Sequence, residues 1–91
     1  MKILRTKFKD LMVFSSKNFY DKRGLFRELT LEKKIKKRFP FTVVSRSKKN
    51  VLRGLHMQTR NSQDKFLSVV KGKVLDVAVD LRKNSKTYGK H

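Results

Sequence analysis

The sequence predicts a mainly β domain that carries one short helix. Apolar runs of strand length fill the second half of the chain at residues 51–58, 65–71 and 73–82. In the last run apolar and other residues alternate, which is the two-residue period of a strand with two different faces. Only the stretch from about Leu29 to Arg38 favours a helix, because glutamates precede lysines there at helical spacing.

The first forty residues predict short elements separated by turns. Residues 3–13 mix charged and apolar side chains and favour one strand or two. Asp21-Lys22-Arg23-Gly24 is a turn signal, because glycine tolerates positive φ and aspartate bonds its own backbone. The helix should end at Phe39-Pro40, since the residue before a proline is pushed out of the α region.

The remaining residues predict a sheet that is left open. Residues 41–44 are β-branched and favour a strand, and residues 45–50 form a polar loop. Lys71-Gly72-Lys73 is a tight turn that would join the last two strands in a hairpin, and residues 84–91 contain turn formers. Because such a sheet presents long apolar edges, we expect further strands from another chain or from a C-terminal half.

Composition restricts the class of protein. A chain of 91 residues makes at most one domain and is marginally stable alone. It has no cysteine, which excludes disulfides and thiolate metal sites. Its apolar runs are far shorter than the roughly 20 residues of a membrane span, and its N-terminus lacks the apolar core of a signal peptide. We therefore expect a cytoplasmic protein that does not enter a membrane.

The net charge of +18 needs an explanation. Such a charge attracts any polyanion, with an affinity that falls steeply as salt rises. The simpler explanation is a solvated lysine-rich surface, because lysines outnumber arginines 17 to 8. A small anionic ligand would also suit a basic protein.

Arg53-Gly54-Leu55-His56 and the later Lys65 form the strongest candidate for a site. Histidine can accept and donate protons near neutral pH. Arginine and lysine beside it could hold the oxyanion that forms when a proton α to a carbonyl is removed. A lone histidine in an apolar strand is more often structural than catalytic, so these residue types alone do not decide between the two interpretations.

Two features concern the shape of this predicted site. Residues three apart on a flat strand point to opposite faces, so Arg53 and His56 share a pocket only if the chain bends, and Gly54 is the least costly place for a bulge. On the last strand, Asp76 and Asp80 share the face opposite the apolar one. That face could simply meet water, or it could line the interior of a barrel that holds a ligand. Asp76 would then be a pocket residue and Asp80 a rim or turn residue.

Arg23 and Glu28 flank the first turn signal. The pair could be no more than a solvated hairpin turn, or it could be a mobile pair that gathers a ligand. Metal binding is poorly supported, because His56 is followed by Gln58 rather than by a second histidine two residues on. No catalytic triad, P-loop or dinucleotide-binding glycine pattern is present.

Three blocks of the sequence resemble, in order, the dTDP-4-dehydrorhamnose 3,5-epimerases, a family with a cupin-type jelly-roll fold. The blocks are residues 21–28, 45–58 and 65–89, and the third contains Asp-Val-Ala-Val-Asp-Leu-Arg-Lys-Asn-Ser followed by Thr-Tyr-Gly. The resemblance implies that residues 1–91 are a single incomplete cupin-like domain, a partial jelly-roll barrel that corresponds to the family's N-terminal half. Residues 41–43 depart from the polar stretch that the family uses there for nucleotide contact.

The resemblance also implies roles for individual residues. His56 would be the base that removes protons at C3 and C5 of a dTDP-4-keto-6-deoxyhexose, and Arg53 and Lys65 would hold the phosphate and the keto oxygen. Arg23 and Glu28 would contact the nucleotide, from the neighbouring subunit of a homodimer that exchanges N-terminal strands. Phe26, Gln58 and Asp76 are further possible pocket residues. The family needs no cofactor and no metal, and its tyrosine acid and histidine-orienting aspartate lie in the second half.

Two other interpretations remain open from the sequence. A related nucleotide-sugar ketoisomerase would share much of the same scaffold. A small basic nucleic-acid-binding β protein would account for the charge and for phenylalanines interleaved with lysines, since aromatic stacking and a cationic groove bind single strands. The combination of Arg-Gly-Leu-His with Asp-Val-Ala-Val-Asp favours the epimerase family, with nucleic acid bound only through non-specific charge.

Overall fold

The computed structural model describes residues 1–91. The chain divides into two units: one comprises residues 1–36 and 68–91, and the other comprises residues 37–67. The secondary structure consists of four short strands in two separate antiparallel pairs, together with one short helix. The prediction of a mainly β protein with one short helix is therefore confirmed. The strands form no closed barrel.

The first strand pair in the first unit joins β1 (Lys2–Arg5) to β2 (Met12–Ser15). Ile3 faces Phe14 and Leu4 faces Val13 across the ladder. Thr6 organises the connection, because its hydroxyl donates to the carbonyl of Leu11 at 2.8 Å and accepts from the amide of Phe8 at 3.1 Å. This arrangement leaves Phe8 as one of the two buried apolar residues of the chain.

The second strand pair is a hairpin of β3 (Asn18–Asp21) and β4 (Gly24–Arg27). Asp21 is opposite Gly24, so the loop has only two residues, and Gly24 adopts a φ of +132°. Glycine meets this requirement because it has no Cβ. The turn predicted at residues 21–24 is confirmed. Arg27, the last residue of β4, donates a hydrogen bond from Nη2 to the carbonyl of Val69 at 3.1 Å.

The helix α1 (Glu32–Ile35) is a single turn, shorter than the predicted helix from Leu29 to Arg38. It ends because Lys36 adopts a left-handed φ of 57°, and the Lys36 amide then donates to the carbonyl of Glu32. Like charges packed at residues 33–38 oppose continuation, since lysines three and four apart on a helix repel each other. Ile35 is the other buried apolar residue.

The strands predicted at residues 41–44, 51–58, 65–71 and 73–82 are not present, and these segments have no regular secondary structure. The hairpin predicted around Gly72 is likewise absent, although Gly72 has a φ of +93°. A β-strand forms only with a hydrogen-bonded neighbour, and β-propensity measures how well side chains pack on such a surface. These segments carry an apolar pattern of strand type, but no hydrogen-bonded ladder joins them to one another or to β1–β4.

Turns fold residues 80–90 of the first unit into a compact loop. The Asp80 amide donates to the carbonyl of Lys90 at 3.0 Å, and the Gly89 amide donates to the carbonyl of Asp80 at 2.7 Å. Further turn bonds from Ser85 and Tyr88 complete the loop. The turn formers predicted for residues 84–91 are confirmed.

The chain buries little of its apolar surface. Its accessible surface is 9833 Å², whereas a compact protein of this size exposes roughly 5,500 Å². Most large apolar side chains are exposed, among them Leu52, Leu55, Leu67 and Leu75. The fold thus lacks the single apolar core that normally holds a domain together. No helix in the structure is long and apolar enough to cross a membrane.

Candidate functional site

Arg53 is held in place by the polar loop that precedes it. Its Nε donates to the hydroxyl of Ser47 at 2.8 Å, and its Nη2 donates to the carbonyl of Arg46 at 3.3 Å. Both bonds lie within residues 37–67. They fix one edge of the guanidinium group and leave the remaining N–H groups free to meet an anion from solution.

The backbone turns at Gly54, between the two principal residues of the predicted site. Gly54 has a φ of +113°, a conformation that L side chains rarely adopt. A Cβ at this position would lie 3.6 Å from Nδ1 of His56, so the histidine ring folds back towards the glycine. The predicted change of direction at Gly54 is present, but it is not a bulge, because residues 51–58 form no strand.

His56 is exposed and has no hydrogen-bond partner in the chain. Gln58 and Lys65 are exposed in the same unit, and neither takes part in a hydrogen bond or an ion pair. No protein contact fixes the tautomer or the orientation of the imidazole. Residues 37–67 therefore hold the predicted base and both predicted cations, but only Arg53 is positioned by other residues.

Arg23 and Glu28, which we predict to gather a ligand, do not contact each other. Arg23 instead binds Asp21 across the two-residue loop, with Nη2 to Oδ2 at 2.7 Å and its amide to Oδ1 at 2.8 Å. These bonds lower the pKa of Asp21, because they favour its charged form. Glu28 lies 3.6 Å from the amino group of Met1. The two residues remain exposed, so each is accessible to a ligand.

Of the remaining predicted pocket residues, Phe26 has a defined neighbour. Its ring lies 6.5 Å from that of Phe19, directly across the β3–β4 ladder, and 67% of Phe26 is exposed. Asp76 is exposed and has no polar partner. A cavity of about 210 Å³ at the β1–β2 connection includes neither of them; it is lined by Arg5, Thr6, Phe8, Lys9, Asp10, Leu11 and Met12.

The carboxylate of Asp80, which the sequence predicts only as a rim or turn residue, accepts hydrogen bonds from three different residues. Its carboxylate accepts hydrogen bonds from the hydroxyls of Ser85 and Thr87, both at 2.6 Å, and from the guanidinium and amide of Arg82. The guanidinium of Arg82, followed by the two hydroxyls, holds the pKa of Asp80 far below its usual range. The side chain is only 3% exposed, because its own loop surrounds it rather than a core.

The signal for this cluster was present in the sequence. Asp80 is followed by Arg82, Ser85 and Thr87, three side chains that donate hydrogen bonds, within a turn-rich segment. Arg82 also reaches Asp10 at the β1–β2 connection, with 3.4 Å between Nη1 and Oδ2. No group of three or more histidine or acidic side chains is placed to hold a metal ion.

Comparison with known proteins identifies the family. The model of the dTDP-4-dehydrorhamnose 3,5-epimerase family matches residues 5–91. The chain belongs to this family. A dTDP-4-dehydrorhamnose 3,5-epimerase of Salmonella typhimurium is 43% identical to it, over 98% of this chain and 52% of the relative. The Methanothermobacter thermautotrophicus epimerase is 38% identical, over 97% of this chain and 50% of the relative.

The epimerase family match covers every predicted site residue from Arg23 to Asp76. The chain spans about half the length of these two epimerases. An epimerase of Mycobacterium tuberculosis is 49% identical over a shorter stretch of 45 residues. No solved structure matches this one.

Proposed function

We propose that this chain supplies the N-terminal half of an epimerase site that acts on a dTDP-4-keto-6-deoxyhexose in deoxysugar synthesis. The family match over residues 5–91, which includes Arg53, His56 and Lys65 together, carries the proposal. His56 removes a proton at C3 or C5, next to the keto group. Arg53 and Lys65 stabilise the negative charge of the phosphate and of the developing enolate oxygen.

The proposal includes a partner. The exposed apolar surface and the unpartnered segments from residue 41 onward support a complementary C-terminal half or a second copy of this chain, and they support the incomplete jelly roll as the underlying fold. Added strands would pair with residues 51–58, 65–71 and 73–82 and convert them into sheet. An adjacent group from that partner would orient the imidazole of His56, which no residue of this chain holds. We propose a homodimer or hetero-complex on this basis, and a cytoplasmic location is supported by the similarity to dTDP-sugar epimerases.

The test is exchange of substrate protons for deuterium. The protein is incubated with dTDP-4-keto-6-deoxyglucose in deuterated water, alone and with the unmatched C-terminal part of the Salmonella typhimurium relative, and loss of the C3 and C5 proton signals is followed by NMR. We expect exchange in the mixture and its loss in His56→Ala. His91→Ala is the matched control, because it removes the other histidine of the chain and should exchange normally.

Two outcomes would contradict the proposal. Exchange that persists in His56→Ala would remove the histidine from the reaction. A folded complex that binds substrate without exchanging either proton would remove the activity itself. Exchange at C3 alone would narrow the function to a 3-epimerase or a related ketoisomerase.

The charge supports binding to nucleic acid as a second candidate, through non-specific attraction. Among its Lys and Arg side chains only Arg23, Lys37 and Arg82 form ion pairs, so most of the +18 charge faces solvent. Equal affinity for heparin and for RNA, with a steep dependence on salt, would identify bare charge. A clear preference for single-stranded RNA over heparin would favour the nucleic-acid function instead.

A further inference from the structure

We propose that Ser47 is a positioning residue that pre-orients Arg53 to bind the pyrophosphate group of a nucleotide. The inference deepens the proposed function and rests on it for the identity of the ligand. The observation is the 2.8 Å bond from Nε of Arg53 to the Ser47 hydroxyl, supported by the 3.3 Å bond from Nη2 to the Arg46 carbonyl.

The geometry leaves the binding edge of Arg53 available. A guanidinium group carries five N–H bonds, and the two contacts use one at Nε and one at Nη2. The other three remain free on the exposed side chain. Ser47 accepts from Arg53 through its oxygen, so its own O–H can be donated to the same anion. Together these groups match the several acceptor oxygens of a pyrophosphate.

The local charge favours an anion over any other ligand. Residues 33–63 contain no aspartate or glutamate, and they contain ten lysines and arginines. The one carboxylate within residues 37–67 belongs to Asp64, which is already paired with Lys37. Arg46, Lys48 and Lys49 flank Ser47 along the loop. An arriving pyrophosphate therefore meets a positive charge in this segment and no unpaired carboxylate within residues 37–67.

Pre-orientation matters because a free arginine side chain is flexible. Each rotatable bond that must be fixed on binding reduces affinity, and a contact that fixes it beforehand removes that cost. Ser47 holds the guanidinium through Nε, at the root of the planar group, so it sets the direction in which the free N–H groups point. A hydroxyl is suited to this task, since it accepts from Arg53 without adding a negative charge that would repel the ligand.

The experiment measures binding of inorganic pyrophosphate and of dTDP to the full chain by calorimetry. We expect Ser47→Ala to weaken both about three- to tenfold, which is the usual effect of losing one such hydrogen bond. Ser47→Thr keeps the hydroxyl and should restore affinity. Arg53→Ala should reduce binding more than Ser47→Ala does. Ser45→Ala is the matched control, because Ser45 lies in the same loop and makes no side-chain hydrogen bond.

A second readout separates positioning from a general effect on the fold. The side-chain Nε–H of Arg53 should give a distinct NMR signal, protected from exchange with water, in the free wild-type protein and in Ser47→Thr. In Ser47→Ala it should exchange as fast as that of an unrestrained arginine, while the backbone spectrum away from residues 45–55 stays unchanged.

Equal affinities for Ser47→Ala and Ser45→Ala, or no binding of pyrophosphate to the wild-type chain, would overturn the inference. If binding depends on Ser47 as expected but no proton exchange occurs with any partner, the proposed epimerase activity fails and the anion site remains. If exchange occurs in the complex but does not depend on Ser47, the activity stands and the positioning role is wrong.

Discussion

Side chains in local polar clusters have defined hydrogen-bond partners in this chain, whereas most large apolar side chains are exposed. Asp80, Arg53 and Asp21 each have their partners within seven residues along the sequence. Such contacts close short loops, which costs little entropy, and they need no neighbouring element. His56, Gln58 and Lys65 have no partner of this kind, so no contact within the chain fixes the orientation of their side chains.

At the residue scale, we predict that Asp80→Asn loosens the loop of residues 80–90. Asparagine has a similar size, but it lacks the charge that attracts Arg82. Its single acceptor oxygen cannot replace both Oδ2, which accepts from the two hydroxyls, and Oδ1, which accepts from the Arg82 amide. Hydrogen exchange at the Gly89 amide, which donates to the Asp80 carbonyl, should become at least several-fold faster. Asp76→Asn is the control, since Asp76 has no partner, and an equal increase in that variant would contradict the prediction.

The same cluster gives the loop a dependence on pH. The pKa of Asp80 is lowered in the folded loop, so the unfolded chain binds this proton more readily than the folded one. The stabilisation from Asp80 is therefore complete above the ordinary aspartate pKa of about 3.9 and is lost as the pH falls below it. Protection of the Gly89 amide should be constant from pH 7 to pH 5 and should decline only in stronger acid.

At the scale of single elements, α1 and the β3–β4 hairpin each depend on one residue with a positive φ. In the hairpin that residue is a glycine, and at the end of α1 it is a lysine. Lys36 ends α1 with a left-handed φ of 57°, although lysine has a Cβ. Gly24 begins β4 at a φ of +132°, and nothing lies within 4 Å of the Cβ it lacks. Lys36 therefore adopts a backbone conformation that disfavours its side chain, whereas the conformation at position 24 requires glycine.

We predict opposite effects for two glycine substitutions in and after α1. Lys36→Gly should stabilise the unit, by up to about 1 kcal/mol, because glycine adopts the left-handed conformation without the cost that an L side chain pays. Lys34→Gly should destabilise it by about 1 kcal/mol, because glycine is unfavourable inside a helix. Thermal or denaturant unfolding followed by circular dichroism measures both. Equal changes of the same sign would show that loss of positive charge, common to the two, governs the result.

The hairpin gives a complementary prediction. Gly24→Ala should destabilise it by about 1–3 kcal/mol through backbone strain alone, since the space beside Gly24 is open. NMR contacts between Phe19 and Phe26, which face each other in the ladder, report whether the hairpin forms. Lys22→Ala changes the neighbouring loop residue and should leave these contacts in place. Their survival in Gly24→Ala would mean that the turn tolerates a different geometry.

At the scale of the whole molecule, exposed apolar surface is the dominant feature. Only Phe8 and Ile35 are buried apolar residues, so hydrophobic burial within the chain contributes little to its stability. A surface of this kind normally marks a site of protein association. Its extent supports the proposal that a second half or a second copy completes the domain.

We therefore predict strong binding of the dye ANS by the chain alone, and loss of that binding in the presence of the complementary C-terminal part of the Salmonella typhimurium relative. The dye reports exposed apolar surface. Albumin at the same concentration, which presents no matching strands, controls for non-specific competition. Dye binding that does not change when the complementary part is added would contradict strand complementation.

The sequence by itself determined the family, the β class and the turn at residues 21–24, because these depend on residue types and on short-range order. Motifs such as Arg-Gly-Leu-His are properties of the chain, whatever surrounds it. The three-dimensional structure decided which local partner each side chain takes: Arg23 pairs with Asp21, Arg53 donates to Ser47, and Asp80 accepts from Arg82, Ser85 and Thr87. It also decided that residues 51–58, 65–71 and 73–82 form no strands, since a strand exists only through hydrogen bonds to a neighbour that can be distant in sequence or in another chain.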